Sequence, residues 1–177
     1  MNAEETKYTR VEYERRFLVR PQTDWRNGAE AYSKLFEDKY IQGTRLRLRV
    51  LTDTDTGRRI IKLNKKAESP SPYFQTISRI LLSPDEYQLF DGLAGDRLKK
   101  ERYYHRHQGR VFSVDVFEGE LEGLILCETE TDGMEDLMSV QFPAFATHEV
   151  TEDPFFTGGN LCRTTRAELL RKLAAFA

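Results

Sequence analysis

Cysteine is almost missing from this chain: Cys127 and Cys162 are the only two in 177 residues. Two such thiols cannot make a disulfide framework, and neither belongs to a zinc-like pair. Long apolar runs are missing too, since none approaches the roughly 20 residues of a membrane-spanning helix. No one sign of charge dominates: 27 Lys and Arg face 29 Asp and Glu, a formal charge of −2. That balance argues against a general nucleic-acid binder and so against a duplex as partner. The opening MNAEETKYTR is polar and has no apolar run, so no secretory signal is expected there. No G-x-x-x-x-G-K-[ST] loop occurs, so a phosphate site here is not of the P-loop kind. Low-complexity stretches, clean internal repeats and long linkers are also lacking. These absences leave one domain over residues 1–177, expected to be cytoplasmic and to have no membrane partner. It is 39% hydrophobic and 32% charged. A chain of this length buries roughly 70% of its unfolded surface, enough for a core without staples.

What is present is alternation. Val11–Val19 is rich in strand formers, and a period of two puts Glu12, Glu14 and Arg16 on one face, opposite Tyr13, Arg15 and Phe17. Thr44–Val50 alternates almost perfectly, with Arg45, Arg47 and Arg49 opposed to Leu46, Leu48 and Val50. Lys62, Asn64 and Lys66 repeat the pattern, as do Lys100 with Arg102 and Glu128 with Glu130. Further strands are expected over Tyr73–Leu82, Leu98–Gln108, Arg110–Glu118 and Leu124–Glu130. Residues 22–40, with Ala29, Tyr32, Leu35 and Phe36 at helical spacing, predict a short helix. Ser83-Pro84-Asp85-Glu86 opens another with a capping box, and Arg166–Phe176 is amphipathic through Leu169, Leu170 and Leu173. Seven or eight strands with a few short helices favour an α+β fold built on a closed antiparallel barrel.

One charged strand face is ordinary, because antiparallel sheets often present one face to water. Five such strands with apolar opposite faces point instead to helices packed outside and charges turned into a lumen. Many Arg and Lys in one lumen call for a polyanion, and the guanidinium fork suits phosphate oxygens. Carboxylates in the same lumen call for a hard divalent cation, Mg²⁺ or Mn²⁺, bridging protein and phosphate. Charge logic therefore reaches metal-dependent binding of a phosphate chain and stops short of a reaction.

Glu12-x-Glu14-x-Arg16 resembles the E-x-E-x-K signature of the CYTH, or triphosphate tunnel metalloenzyme, superfamily. The likeness runs along nearly the whole chain in the family's order. Arg45-x-Arg47 is similar to its basic strand, Leu63-Asn64-Lys65-Lys66 to L-T-x-K, and Lys100-x-Arg102 to K-x-R. Asp115-Val116-Phe117 is similar to D-x-F, Glu128-Thr129-Glu130 to the late E-x-E, and Glu149-Val150-Thr151 to E-V-T. The resemblance implies an eight-stranded antiparallel triphosphate tunnel with short helices outside. It implies phosphate ligands at Arg45, Arg47, Lys62, Lys66, Lys100 and Arg102, and metal ligands among Glu12, Glu14, Asp115, Glu128 and Glu130. Glu12, Glu14 and Arg16 are the expected catalytic residues. The implied reaction is hydrolysis of a linear triphosphate. A class IV-type adenylyl cyclase and a polyphosphate- or nucleotide-binding module without catalysis stay open, as does a homodimer.

Two departures bear on mechanism. Arg16 replaces the family lysine and, being always protonated, cannot shuttle protons. Gln75, Ile77 and Arg79 stand where the family commonly has R-x-E-x-E, which removes two acids and implies one metal site rather than two. Other constellations carry less. Asp53-x-Asp55-x-Gly57 is a turn rather than a calcium loop, because its twelfth position is Asn64. His105 and His107 are expected at the surface, and Cys127 is expected as a small buried hydrophobe. Trp25, Phe142, Phe145, Phe155 and Phe156 are expected in packing or in a cover over the tunnel end. For Tyr73, Tyr103 and Tyr104 the sequence offers no choice between core and rim.

Overall fold

The alternating segments pair edge to edge until the last meets the first. A computed structural model describes residues 8–176, so most of the polar N-terminal segment lies outside the described residues. Its strands are β1 (Thr9–Val19), β2 (Ala29–Ile41), β3 (Leu46–Asp53), β4 (Arg59–Lys66) and β5 (Phe74–Leu81). They continue as β6 (Gly95–His107), β7 (Arg110–Phe117), β8 (Ile125–Thr131) and the two-residue β9 (His148–Glu149). The order is β5-β4-β3-β2-β6-β7-β8-β1-β9, and a β5–β1 pairing closes the first eight into a barrel. All of these pairings are antiparallel. β5 covers only the first half of β1, Thr9–Tyr13, and β9 takes the same edge further on at Phe17 and Leu18.

One expected element is overturned. The helix expected in residues 22–40 is instead β2, preceded by turns. Its partners decide the matter, because β2 pairs with β3 over Lys34–Tyr40 and with β6 as far as Ile41. Tertiary pairing outweighs a loose 3.6-residue pattern in a strand that mixes apolar and charged residues on both faces.

The helices are short and lie outside or at one end. α1 (Pro84–Asp91) starts as expected: Ser83 Oγ accepts from the Glu86 amide, and Glu86 accepts from the Ser83 amide at 2.7 Å. α2 (Met134–Met138) and α3 (Gly158–Leu161) are single turns, and α4 (Arg166–Ala174) begins with a second capping box, Thr165 with Glu168. Asp53 accepts from the Thr56 amide at 2.9 Å, and Gly57 at φ +68° completes that turn. Gln108 and Gly109, both at positive φ, make the tight β6–β7 hairpin.

Three apolar clusters surround the lumen. The outer faces of β1, β7 and β8 supply Phe17, Val114 and Cys127, covered by Trp25, Val140 and Phe145. α1 lays Tyr87 and Phe90 over Ile41, Leu48 and Leu63. The third cluster fills one end of the barrel: Leu18, Leu98, Phe117 and Leu126 meet Phe156, Leu161 and Leu169 of the C-terminal segment. Of the expected cover aromatics, Phe142 is half exposed and packs edge-on against Phe17. No helix among the described residues is long and apolar enough to cross a membrane.

Candidate functional site

A strand turns every second side chain the same way, so the register of the barrel fixes what faces inward. Glu12, Glu14 and Arg16 of β1 do so with Arg47 and Arg49 of β3 and Lys62, Asn64 and Lys66 of β4. β6 adds Lys100 and Arg102, β8 adds Glu128 and Glu130, and Arg45 stands just before β3. They line a cavity of about 960 Å³, bounded at one mouth by the loops around Gly43 and Pro72 and by Thr157–Gly159. Ten Arg and Lys side chains line it against six Asp and Glu. The acids concentrate on β1 and β8, and the bases on β3, β4, β5 and β6.

On the acid wall each carboxylate has a guanidinium beside it. Arg16 donates to Glu14 at 2.7 Å and to Glu128 at 2.8 Å, and Arg102 reaches the other oxygen of Glu128 at 3.1 Å. Burial disfavours the Glu128 charge, but Arg16, Lys100 and Arg102 overcome it and hold the carboxyl well below the usual range. Glu12 accepts from Arg10 and, at 3.1 Å, from Arg79. Glu130 goes the other way: burial and the neighbouring Glu12 and Glu128 push its carboxyl up. The E-V-T segment holds β1 from outside, where Glu149 grips Arg15 at 2.9 and 2.6 Å and Thr151 accepts from the Arg16 amide.

The base wall has cations to spare. Among the described residues Arg47, Lys62 and Lys66 form no ion pair. Burial lowers the Lys66 and Lys62 ammonium groups, and Arg79 and Arg49 lower Lys62 further. Arg47 is half-buried, and its Nε is buried and unpartnered. Arg45 sits at the rim, half exposed and paired with Glu68.

Two buried aspartates work behind these walls. Asp115, expected among the metal ligands, does not line the cavity and is fully buried. Arg102 bonds both its oxygens at 2.6 and 2.7 Å, and Lys100 shares one of them, so its lone pairs are committed as a counter-ion. Asp38 serves Arg49 in the same way. Between them lies Phe36, with Arg49, Arg102 and Lys100 at 4.7, 4.8 and 5.8 Å from its ring centre. Asp38, Phe36 and Asn64 were absent from the expected site. The first two sit on the strand read as a helix, and Asn64 stood out only as a member of an alternating triplet and of the segment similar to L-T-x-K.

A second expectation fails at His105, which is buried rather than at the surface. Its Nε2 meets the Asn27 carbonyl, and its ring packs 4.5 Å from Phe145, away from the lumen residues. Cys127 is fully buried, as expected. Tyr103 packs against Trp25, Tyr104 against Tyr32, and Tyr73 donates to Glu152 near the mouth.

Carboxylate oxygens are the donors a hard divalent cation takes. Among the described residues no three His, Cys, Asp or Glu side chains converge as a ready-made cage. Magnesium is commonly held by one or two carboxylates together with substrate phosphates, and crowding at Glu130 is what a cation relieves. The donor set suits one such ion.

No family model and no curated protein matches the chain. Solved structures do. NE1496, described as an inorganic triphosphatase, is 24% identical over 86% of this chain and 95% of its own, with a TM-score of 0.57. PH1012 from Pyrococcus horikoshii OT3 is 19% identical over 72% and 83%, with a TM-score of 0.52. HpAC1 from Hippeastrum, whose dominant activity is that of a triphosphatase, is 11% identical over 72% and 82%, with a TM-score of 0.50. The chain has their CYTH-like barrel. At these identities the CYTH-like likeness is one of fold, and chemistry rests on the lumen itself.

Proposed function

We propose that the chain hydrolyses a linear triphosphate, either inorganic tripolyphosphate or a nucleoside or thiamine triphosphate, with Mg²⁺ or Mn²⁺. The observation that carries this reading is the excess of cations in a closed lumen, with Arg47, Lys62 and Lys66 left without counter-ions. Half-buried cations without counter-ions are costly, and a chain of phosphates supplies the missing charge along the length of the wall. The inorganic triphosphatase NE1496, sharing the barrel, supports the same reading.

In this mechanism Arg47, Lys62 and Lys66, with Arg45 at the rim, hold the phosphate chain against the base wall. Lys100 and Arg102, fixed from behind by Asp115, bind the phosphoryl group nearest the acids. Arg16 spans Glu14 and Glu128 and meets charge developing on the transferred group, without exchanging a proton. Glu12 and Glu14 orient the attacking water. Glu130, with Glu12, Glu14 or Glu128, would hold the divalent ion, which when bound polarises the phosphoryl group.

The test is a phosphate-release screen of tripolyphosphate, ATP and thiamine triphosphate with each metal, with cyclic AMP measured in parallel. Metal-dependent phosphate release supports the reading. Cyclic AMP with pyrophosphate would move the chain to the cyclases, and tight binding without turnover would make it a binding module.

A further inference from the structure

We propose that Asn64 is a phosphate ligand and that Arg79 is the residue that positions it, an assignment resting on the triphosphate reading of the lumen. Asn64 is 1% exposed, yet it faces the cavity between charged neighbours on the same wall. It lies opposite Arg47 across β3–β4 and opposite Arg79 across β4–β5. Arg79 Nε donates to Asn64 Oδ1 at 3.3 Å. Only the oxygen of the amide can accept, so this bond turns Oδ1 toward β5 and leaves Nδ2 to point elsewhere.

Nδ2 finds no acceptor there, and neither does Arg47 Nε on the next strand. Two buried N–H donors are thus left unmatched on adjacent strands of one wall. Buried donors are nearly always paired, and an unmade bond is expensive, so the pair calls for an acceptor from outside the chain. A non-bridging phosphate oxygen, with several lone pairs and a negative charge, can take both. An amide also suits this position electrostatically. It adds a donor among Arg47, Lys62 and Lys66 without adding another repelling cation. The same Arg79 bonds Glu12 at 3.1 Å, so one guanidinium ties the acid wall to this donor.

The experiment is calorimetric titration with tripolyphosphate in metal-free buffer, beside thermal melts of the free proteins. Asn64→Leu removes the donor at similar volume. It should weaken tripolyphosphate about tenfold, the worth of one hydrogen bond to a charged acceptor, while the free protein melts no lower. Asn64→Asp keeps the oxygen that Arg79 needs but turns an acceptor on the anion, and should weaken binding further. Arg79→Met removes a lumen cation as well as the bond to the amide, so it should weaken binding in the unaltered background and cost less in Asn64→Leu, where the part that runs through the amide is already gone. A full additive loss in that double variant would overturn the positioning role. In the unaltered protein the Asn64 side-chain amide resonances should shift on saturation with tripolyphosphate, a readout that needs no variant. Unmoved resonances, or Asn64→Leu and Asn64→Asp binding as tightly as the unaltered chain, would overturn the assignment and leave the lumen reading intact. If the unaltered chain binds no tripolyphosphate, the lumen reading itself fails.

Discussion

Arg49 bonds both carboxylate oxygens of Asp38, at 2.5 and 2.6 Å, beneath the lumen wall. Burial alone would push the Asp38 carboxyl up, but Arg49, then Arg47 and Lys100, bring it down to about 2. An unfolded aspartate titrates near 3.9, so the unfolded chain takes up this proton first as pH falls. The pair's stabilisation is complete above pH ~4 and is lost as pH drops toward 2. Asp38→Asn leaves Arg49 charged and buried without its partner, which should cost about 3–5 kcal/mol at neutral pH. Melting curves across pH 2 to 7 check both points. The variant should melt lower at pH 7 and lose less between pH 4 and 2, and parallel curves would refute the account.

Much of this arrangement was legible in the sequence because the barrel is inverted relative to a soluble sheet. From just before β3 into it, Arg45, Arg47 and Arg49 alternate with Leu46, Leu48 and Val50, and Leu46 and Leu48 pack outward under α1. The period of two therefore gives the lumen face directly. β2 resists the same reading because its lumen face carries Phe36 and Tyr40 beside Lys34 and Asp38, while its outer face mixes Leu35 and Ile41 with Glu37 and Lys39. With apolar and polar residues on both faces, no period of two survives. Asp115 was expected as a metal ligand through the D-x-F resemblance, but its commitment to Lys100 and Arg102 depends on cross-strand register, which one strand's sequence does not contain.

Arg45 and Arg47 belong to one alternating triplet, yet the structure gives them unequal standing. Arg45 is half exposed and already paired with Glu68, whereas Arg47 is half-buried and its buried Nε is unpartnered. Arg47→Ala should therefore abolish most of the thermal shift caused by tripolyphosphate, and Arg45→Ala should remove only a minor part. Without ligand, Arg47→Ala should melt close to the unaltered protein, because the lost packing and the lost attraction to Asp38 are offset by relief of repulsion with Lys66. Differential scanning fluorimetry with and without tripolyphosphate measures both. Equal ligand effects from the two substitutions would contradict the ranking.

Phe36 holds a cluster that would otherwise push itself apart. Arg49, Lys100 and Arg102 all lie within 6 Å of its ring centre, and the negative face of the ring attracts each of them. Desolvated contacts of this kind are worth up to about 2 kcal/mol. Phe36→Leu keeps an apolar side chain but loses the ring's quadrupole. It should lower stability by about 1–3 kcal/mol, from lost packing and lost cation contacts together. It should also weaken tripolyphosphate several-fold, since the cations no longer converge, whereas Phe36→Tyr should bind close to the unaltered protein. Denaturant melts and calorimetry give the two numbers. Leu and Tyr variants with equal affinity would remove the ring from the argument.

The arrangement of carboxylates sets an upper bound on metal. Arg16 occupies the space between Glu14 and Glu128, and Arg10 and Arg79 both engage Glu12. A second divalent ion among these acids would meet guanidinium groups at close range, and like charges repel strongly in a poorly solvated cavity. Glu130 also meets Arg10 at 3.1 Å, but burial and the neighbouring Glu12 and Glu128 still raise its carboxyl, so a cation beside it relieves that crowding. One or two carboxylates hold magnesium well only when phosphate oxygens complete the shell. The expected outcome is weak Mn²⁺ binding to the free protein and one equivalent bound tightly once tripolyphosphate is present. Equilibrium titration followed by electron paramagnetic resonance counts the ion directly. Glu130→Gln should weaken that Mn²⁺ about tenfold or more, while binding of tripolyphosphate without metal holds or improves as a negative charge leaves the lumen. Two tight equivalents in the free protein would show that the guanidinium groups move aside and that the acids form a ready-made pair of sites.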